Sequence, residues 1–174
     1  PSPETKNHNK ETIDALLILS HVVSAVSGLN ELNAILKVGV EKTLEFLEGA
    51  FGGVMLLDKQ ENRLHYRVYQ GLSDEFAQKM TPKIGEGING KVVLTGKAIL
   101  LDDISKDPEV LKQSLIQVEG WKAFISVPLR FKDKIFGVLN CASPYARKFT
   151  VKDMHLLHSI GDQLGIAIGQ ARLY

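Results

Sequence analysis

Gly85-Glu86-Gly87-Ile88-Asn89-Gly90-Lys91 carries the most overt chemistry in this chain of 174 residues. It meets the GxGxxG spacing of dinucleotide-binding turns and the opening of GxxxxGK, where backbone N–H groups and a lysine cradle phosphate oxygens. A phosphate loop also needs Ser or Thr next, to hold magnesium, and a buried strand immediately upstream. Val92 stands in the first of these places, and Lys79-Met80-Thr81-Pro82-Lys83 does not read as such a strand. The string reads instead as a tight turn that uses glycine's freedom to adopt positive φ.

The other reactive side chains are sparse. His155 and His158 stand three apart, with Asp162 four further on, so a helix would set them on neighbouring faces. No further ligand is signposted, and surface or interface histidines are expected, with no metal. Cys141 is the single cysteine, which excludes an intramolecular disulfide and any all-thiolate metal or iron–sulfur centre. Lying among Val138, Leu139 and Ala142, it reads as a small hydrophobe rather than a nucleophile. Asp102, Asp103 and Asp107 read as carboxylates capping a polar loop. With no Ser-His-Asp spacing evident, the expectation is that the chain is not an enzyme.

Composition narrows the partners. The 21 basic and 20 acidic residues leave a net charge of +1, and the cations are concentrated nowhere along the sequence. Nucleic acid is therefore not expected as a direct partner. No apolar run approaches the roughly 20 residues of a membrane span. One thiol fits a reducing, cytoplasmic setting. A start at Pro1 rather than Met reads as a piece of a longer protein.

The elements that position these residues follow from periodicity. A composition of 44% hydrophobic and 24% charged residues suits one globular domain with its own core. Residues 1–10 read as linker, and residues 11–174 as a single domain. Apolar residues recur every three or four positions over 11–27 and again from Asn30 to Gly49, predicting two helices. Residues 50–57 and 64–69 read as two antiparallel strands around a polar turn. In the second, Leu64, Tyr66 and Val68 alternate with His65, Arg67 and Tyr69. Ser73 caps a short helix, a glycine turn leads into another, and a brief strand covers 98–101. A polar stretch at 102–120 holds a further short helix. Residues 124–131 and 135–142 form a second hairpin, and Pro128 within it implies an edge, a bulge or a ladder position needing no donor. A long helix follows Thr150. Hairpins with helices gathered at the ends argue an α+β fold with a central antiparallel sheet of five or six strands.

In the last helix Leu157, Ile160, Leu164, Ala167 and Ala171 make a seam of coiled-coil spacing, and Gly161, Gly165 and Gly169 make a stripe of small residues. Two readings stay open: the helix packs on its own sheet, or it forms a homodimer interface with a second copy.

Taken together, these segments resemble the GAF domain family, small-molecule-binding regulatory modules of signalling proteins. The likeness covers residues 11–174. It rests on Val54-Met55-Leu56-Leu57-Asp58, on Gly85-x-Gly87-x-x-Gly90-x-Val92-x-x-Thr95-Gly96, and on Asp102-Asp103-Ile104 with Asp107-Pro108. It continues through Ser126-Val127-Pro128-Leu129, Ile135-Phe136-Gly137-Val138-Leu139 and Phe149-Thr150-x-x-Asp153-x-x-x-Leu157. The resemblance implies long terminal helices on one face of the sheet and a pocket roofed by short helices and loops on the other. It implies a sensor that binds an unidentified small molecule. The signal would pass through the terminal helices, as a homodimer, to an output domain of kinase, cyclase or transcription-regulator type. Positions matching ligand contacts of nucleotide-binding relatives are Gly53, Tyr69, Gln70, Ile88, Asn89 and Leu111; they either contact a ligand or close a collapsed pocket. Ser143-Pro144 and Met154 depart from the cyclic-nucleotide pattern, and a single cysteine departs from that of methionine sulfoxide reductases. The cofactor is left unknown.

Overall fold

The computed structural model describes residues 29–110 and 112–172. The expected linker at 1–10, the helix at 11–27 and Leu111 lie outside them.

Helix α1 (Leu29–Leu47) leads into strands β1 (Phe51–Asp58) and β2 (Arg63–Gln70). Then come α2 (Asp74–Lys79), α3 (Gly87–Thr95), β3 (Ile99–Leu101), a 3₁₀ turn at Ile104–Lys106 and α4 (Gln113–Glu119). The chain continues through β4 (Phe124–Phe131), β5 (Lys134–Ala142) and α5 (Val151–Arg172). The five strands form one antiparallel sheet in the order β2-β1-β5-β4-β3. The fold is α+β.

Local chemistry sets the boundaries. Asp58 Oδ1 accepts from the N–H groups of Gln60 (2.9 Å) and Glu61 (3.2 Å), turning β1 into β2. Ser73 Oγ accepts from Phe76 N at 3.1 Å and starts α2. Thr150 and Asp153 cap α5 reciprocally: Thr150 Oγ1 accepts from Asp153 N (3.1 Å) and Asp153 Oδ2 from Thr150 N (2.9 Å). Pro128 pairs with Val138, beyond the reach of the three-residue β3, whose contact with β4 spans Phe124 to Ser126.

Strand alternation divides the core in two. Val54, Ile125, Val127, Leu129, Leu139 and Cys141 face α1 and α5; Phe51, Met55, Leu64, Phe124, Val138 and Ala142 face the short helices. The alternation expected along β2 is corrected by a bulge. Val68 pairs with Val54 but Tyr66 pairs with Met55, so Arg67 is an extra residue. One inserted residue reverses the faces beyond it. Val68 therefore packs on the helix side, and Tyr69 shares the roof side with Tyr66, their ring centroids 6.0 Å apart.

The stripe of small residues on α5 serves the domain's own sheet. A Cβ at Gly165 would run into the Arg130 backbone and one at Gly169 into the Phe131 ring. Leu157, Ile160 and Leu164 have no exposed surface, and Ala167 has 5%. The expected dimer seam is corrected at these four positions, because a side chain already buried has no area left to give a second copy. Ala171 alone of the five is exposed.

Candidate functional site

On the roof side the sheet presents polar groups where a wholly apolar layer would be simpler. Ser126 on β4 and Asn140 on β5 face each other in register, both with no exposed surface. Ser126 Oγ donates to Asn89 Oδ1 at 3.0 Å, tying the sheet to the first turn of α3. Asn140 Nδ2 donates to the Tyr66 hydroxyl at 3.3 Å. Gly53, paired with Asn140 on one side and Tyr69 on the other, lets the Tyr66 ring lie across β1. A Cβ there would stand 2.9 Å from the ring.

Asn140 Oδ1 is buried with no hydrogen-bond partner among the described residues. Turning the amide over would exchange which end is unpaired, not whether one is. Leaving such a group unmatched costs about 1–3 kcal/mol, so its presence asks for a reason. Burial also pushes the Tyr66 phenol above its ordinary pKa, so the hydroxyl keeps its proton at neutral pH.

Aromatic and aliphatic side chains close over this floor. Trp121 stacks on Phe51 with centroids 4.3 Å apart, and Phe76 meets Trp121 edge-on at 4.8 Å. Met80, Ile88, Ile104 and Ile116 complete the cover. A cavity of about 20 Å³ remains between floor and roof, bounded by Tyr66, Asn89, Phe76 and Trp121 among others. That is room for one water, whereas a small-molecule site needs roughly 300 Å³ or more.

Of the expected ligand positions, Ile88 and Asn89 line this cavity, and Gly53 lies beneath the Tyr66 ring. Tyr69 stands at the margin, where its hydroxyl donates to Asp74, which raises the phenol's pKa. Gln70 is exposed and lines a separate groove with Tyr69 and with Asn33 and Lys37 of α1, so the structure does not bring it to the cavity. The residues missed were Tyr66, Ser126 and Asn140. Their available signal was a polar side chain inside an apolar strand, in Ile125-Ser126-Val127 and Leu139-Asn140-Cys141.

The glycine string has no strand before it; Gly85 (φ +84°) and Gly87 (φ +62°) turn the chain into α3, and Lys91 pairs with Glu109. Among the described residues, Asp58, Glu61 and His65 could bring ligand atoms within 4.8 Å of one another at the β1–β2 turn. They are already bonded there, His65 to Glu61 at 2.7 Å and Asp58 to the turn's N–H groups.

This architecture, with its glycine turn at the edge of a roofed sheet, matches the family model of the GAF domain over residues 30–169. The chain belongs to the GAF domain family. It is 27% identical over 155 residues to the nitrogen fixation protein AnfA of Azotobacter vinelandii, covering 87% of this chain but 29% of that protein. The GAF domain of a phosphoenolpyruvate-protein phosphotransferase from Coxiella burnetii superposes with a TM-score of 0.81 at 21% identity, over 94% of this chain and 96% of that one. Free methionine-R-sulfoxide reductase from Neisseria meningitidis, solved with its substrate, superposes with a TM-score of 0.73 at 20% identity, over 93% and 92%.

That last likeness corrects the expectation drawn from the absence of a catalytic triad. A GAF fold carries an enzyme in Neisseria and in Thermoplasma acidophilum, so this fold gives no ground for excluding catalysis. No helix among the described residues is long and apolar enough to cross a membrane.

Proposed function

We propose that this GAF domain is a regulatory sensor within a longer protein, taking a small molecule between the sheet and its roof of short helices. The observation that carries this reading is Asn140, a fully buried amide with one unmatched end, whose other end bonds Tyr66 in the cavity wall. A ligand that supplied the missing partner would recover the desolvation that the unliganded fold bears. Because the cavity holds about 20 Å³, binding has to lift the roof, and the ligand selects an opened form of it. The roof is built for that: α2 and α4 are six and seven residues long, against 19 and 22 for α1 and α5.

The relay runs through the sheet. α1 and α5 cover the opposite face of the strands that carry Gly53, Ser126 and Asn140. A change in the floor would therefore reach the two long helices and, through them, an output domain such as a transcription regulator, kinase or cyclase. That the chain spans 29% of AnfA's length supports a place within a larger protein. A module that only relays, its ligand lost, is the second reading, and the small cavity favours it.

Trp121 is the chain's only tryptophan and lines the cavity, so its emission reports occupancy. Native mass spectrometry of the protein purified from cells should show a retained small molecule, with Trp121 emission shifting when it is removed. A protein that retains nothing, and whose emission and melting temperature ignore a metabolite panel, would favour the pure relay.

A further inference from the structure

A second cleft lies on the helix side of the sheet, at the end where the β1–β2 and β4–β5 turns meet the last turn of α5. Its volume is about 360 Å³. The floor is aromatic: Phe131 packs against Gly169, and Phe136 is buried and lines the same cleft. The rim is cationic. Lys59 comes from the first turn, Lys132 and Lys134 from the second, and Arg172 from α5. Among the described residues Asp133 is the one acid lining it, which leaves a surplus of three positive charges there, in a chain whose net charge is +1.

Ordinary compensation does not absorb this charge. No ion pair among the described residues involves these four cations. Asp58 and Glu61 in the adjoining groove are bonded within their own turn. The C-terminal end of α5 contributes roughly half a negative charge, a fraction of what is present. Two of the cations already lie over the aromatic rings: Lys132 Nζ is 5.3 Å from the Phe131 centroid and the Arg172 guanidinium 5.4 Å from that of Phe136.

The geometry points to a binding site here for a nucleoside polyphosphate, independent of the roofed cavity on the other face. The base takes the Phe131 ring in place of the Lys132 ammonium, which turns from the ring to a phosphate, and such aromatic contact is tolerant of base identity. The phosphates take the lysine ammoniums and the Arg172 fork, a multiply charged group being what a surplus of three charges matches. Charge alone would accept any polyanion, and the aromatic floor alone any apolar ring; the site needs both.

Calorimetry on the whole 174-residue chain at low salt tests it with three probes: ATP, adenosine and inorganic tripolyphosphate. ATP should bind about ten-fold or more tighter than either half, and weaken steeply as salt screens the rim. Lys132→Glu with Lys134→Glu, both exposed on the turn, should lower ATP affinity about ten-fold or more, with Trp121 emission unchanged. Phe131→Leu should weaken ATP more than tripolyphosphate, and Lys97→Glu, an exposed lysine outside the cleft, should change neither. No ATP binding, ATP no tighter than tripolyphosphate or adenosine, or binding that survives the double reversal would each overturn the assignment.

Discussion

Replacing Tyr66 and Asn140 singly and together measures what the floor of the roofed cavity costs the fold. Tyr66→Phe removes the hydroxyl 3.3 Å from Asn140 Nδ2 and leaves a fully buried amide with neither end matched, a loss of about 1–3 kcal/mol. Asn140→Leu keeps the branching of the side chain and removes the unmatched amide end, a gain of about 1–3 kcal/mol, but strands the Tyr66 hydroxyl at a cost of similar size, so it should change stability little. The double variant behaves differently. It gives up one neutral hydrogen bond, about 0.5–1.5 kcal/mol, while relieving the unmatched amide end, about 1–3 kcal/mol, so it should equal the wild type or exceed it by up to about 2 kcal/mol. The two single effects therefore do not sum to that of the pair, as expected for groups in contact. Urea denaturation followed by Trp121 emission gives all four stabilities, with equal slopes as the check that the denatured state is unchanged. A double variant less stable than the wild type by more than about 1 kcal/mol would refute the reasoning, since the amide would then be favourably accommodated as it stands. The same variant should lose the small molecule the floor is proposed to hold, moving stability and binding in opposite directions.

Three further outcomes follow from the packing and the titrating groups. On α5, Gly161→Ala comes closest to the Val127 side chain, at 3.2 Å, with Pro128 O and Leu129 in ordinary contact, and should be neutral or gain up to about 1 kcal/mol in urea denaturation, whereas Gly165→Ala meets the Arg130 backbone and should lose about 2 kcal/mol or more. Cys141 has no exposed surface and burial pushes its thiol up to about 12, so an aromatic disulfide reagent at neutral pH should label it only after unfolding. The Asp103 carboxyl accepts from the Ser105 hydroxyl and backbone N–H, which holds its pKa below the ordinary value. Its contribution is therefore present above about pH 4 and lost as pH falls through the lowered folded pKa; Asp103→Asn should flatten the acid limb of the denaturation midpoint.

Most of the architecture was legible in the sequence, because the signals involved are local. The helix and strand periods, Ser73 and Thr150 as caps, Asp58 at its turn, and the ordered segments of the GAF family are all carried by residues a few positions apart. The absence of a magnesium-holding residue after Lys91, together with the polar stretch before Gly85, sufficed to discount a phosphate loop. Ile88 and Asn89, matched through the family resemblance to ligand contacts of nucleotide-binding relatives, line the cavity.

What the tertiary structure decided depends on pairings that no single segment contains. The bulge at Arg67 arises from how β2 registers on β1, and it alone moved Tyr69 to the roof side and Val68 away from it. Seam spacing on α5 records only that one face is apolar; whether that face meets a sheet or a second copy is set by Val127, Arg130 and Phe131 standing beneath its glycines. Tyr66, Ser126 and Asn140 come from three strands, and their polarity gains meaning only when register sets them under one lid. Charge behaves the same way. Lysines spread evenly along the chain show no patch until the two hairpin turns and the end of α5 bring Lys59, Lys132, Lys134 and Arg172 to one rim, because electrostatic potential sums over distance in space rather than along the sequence.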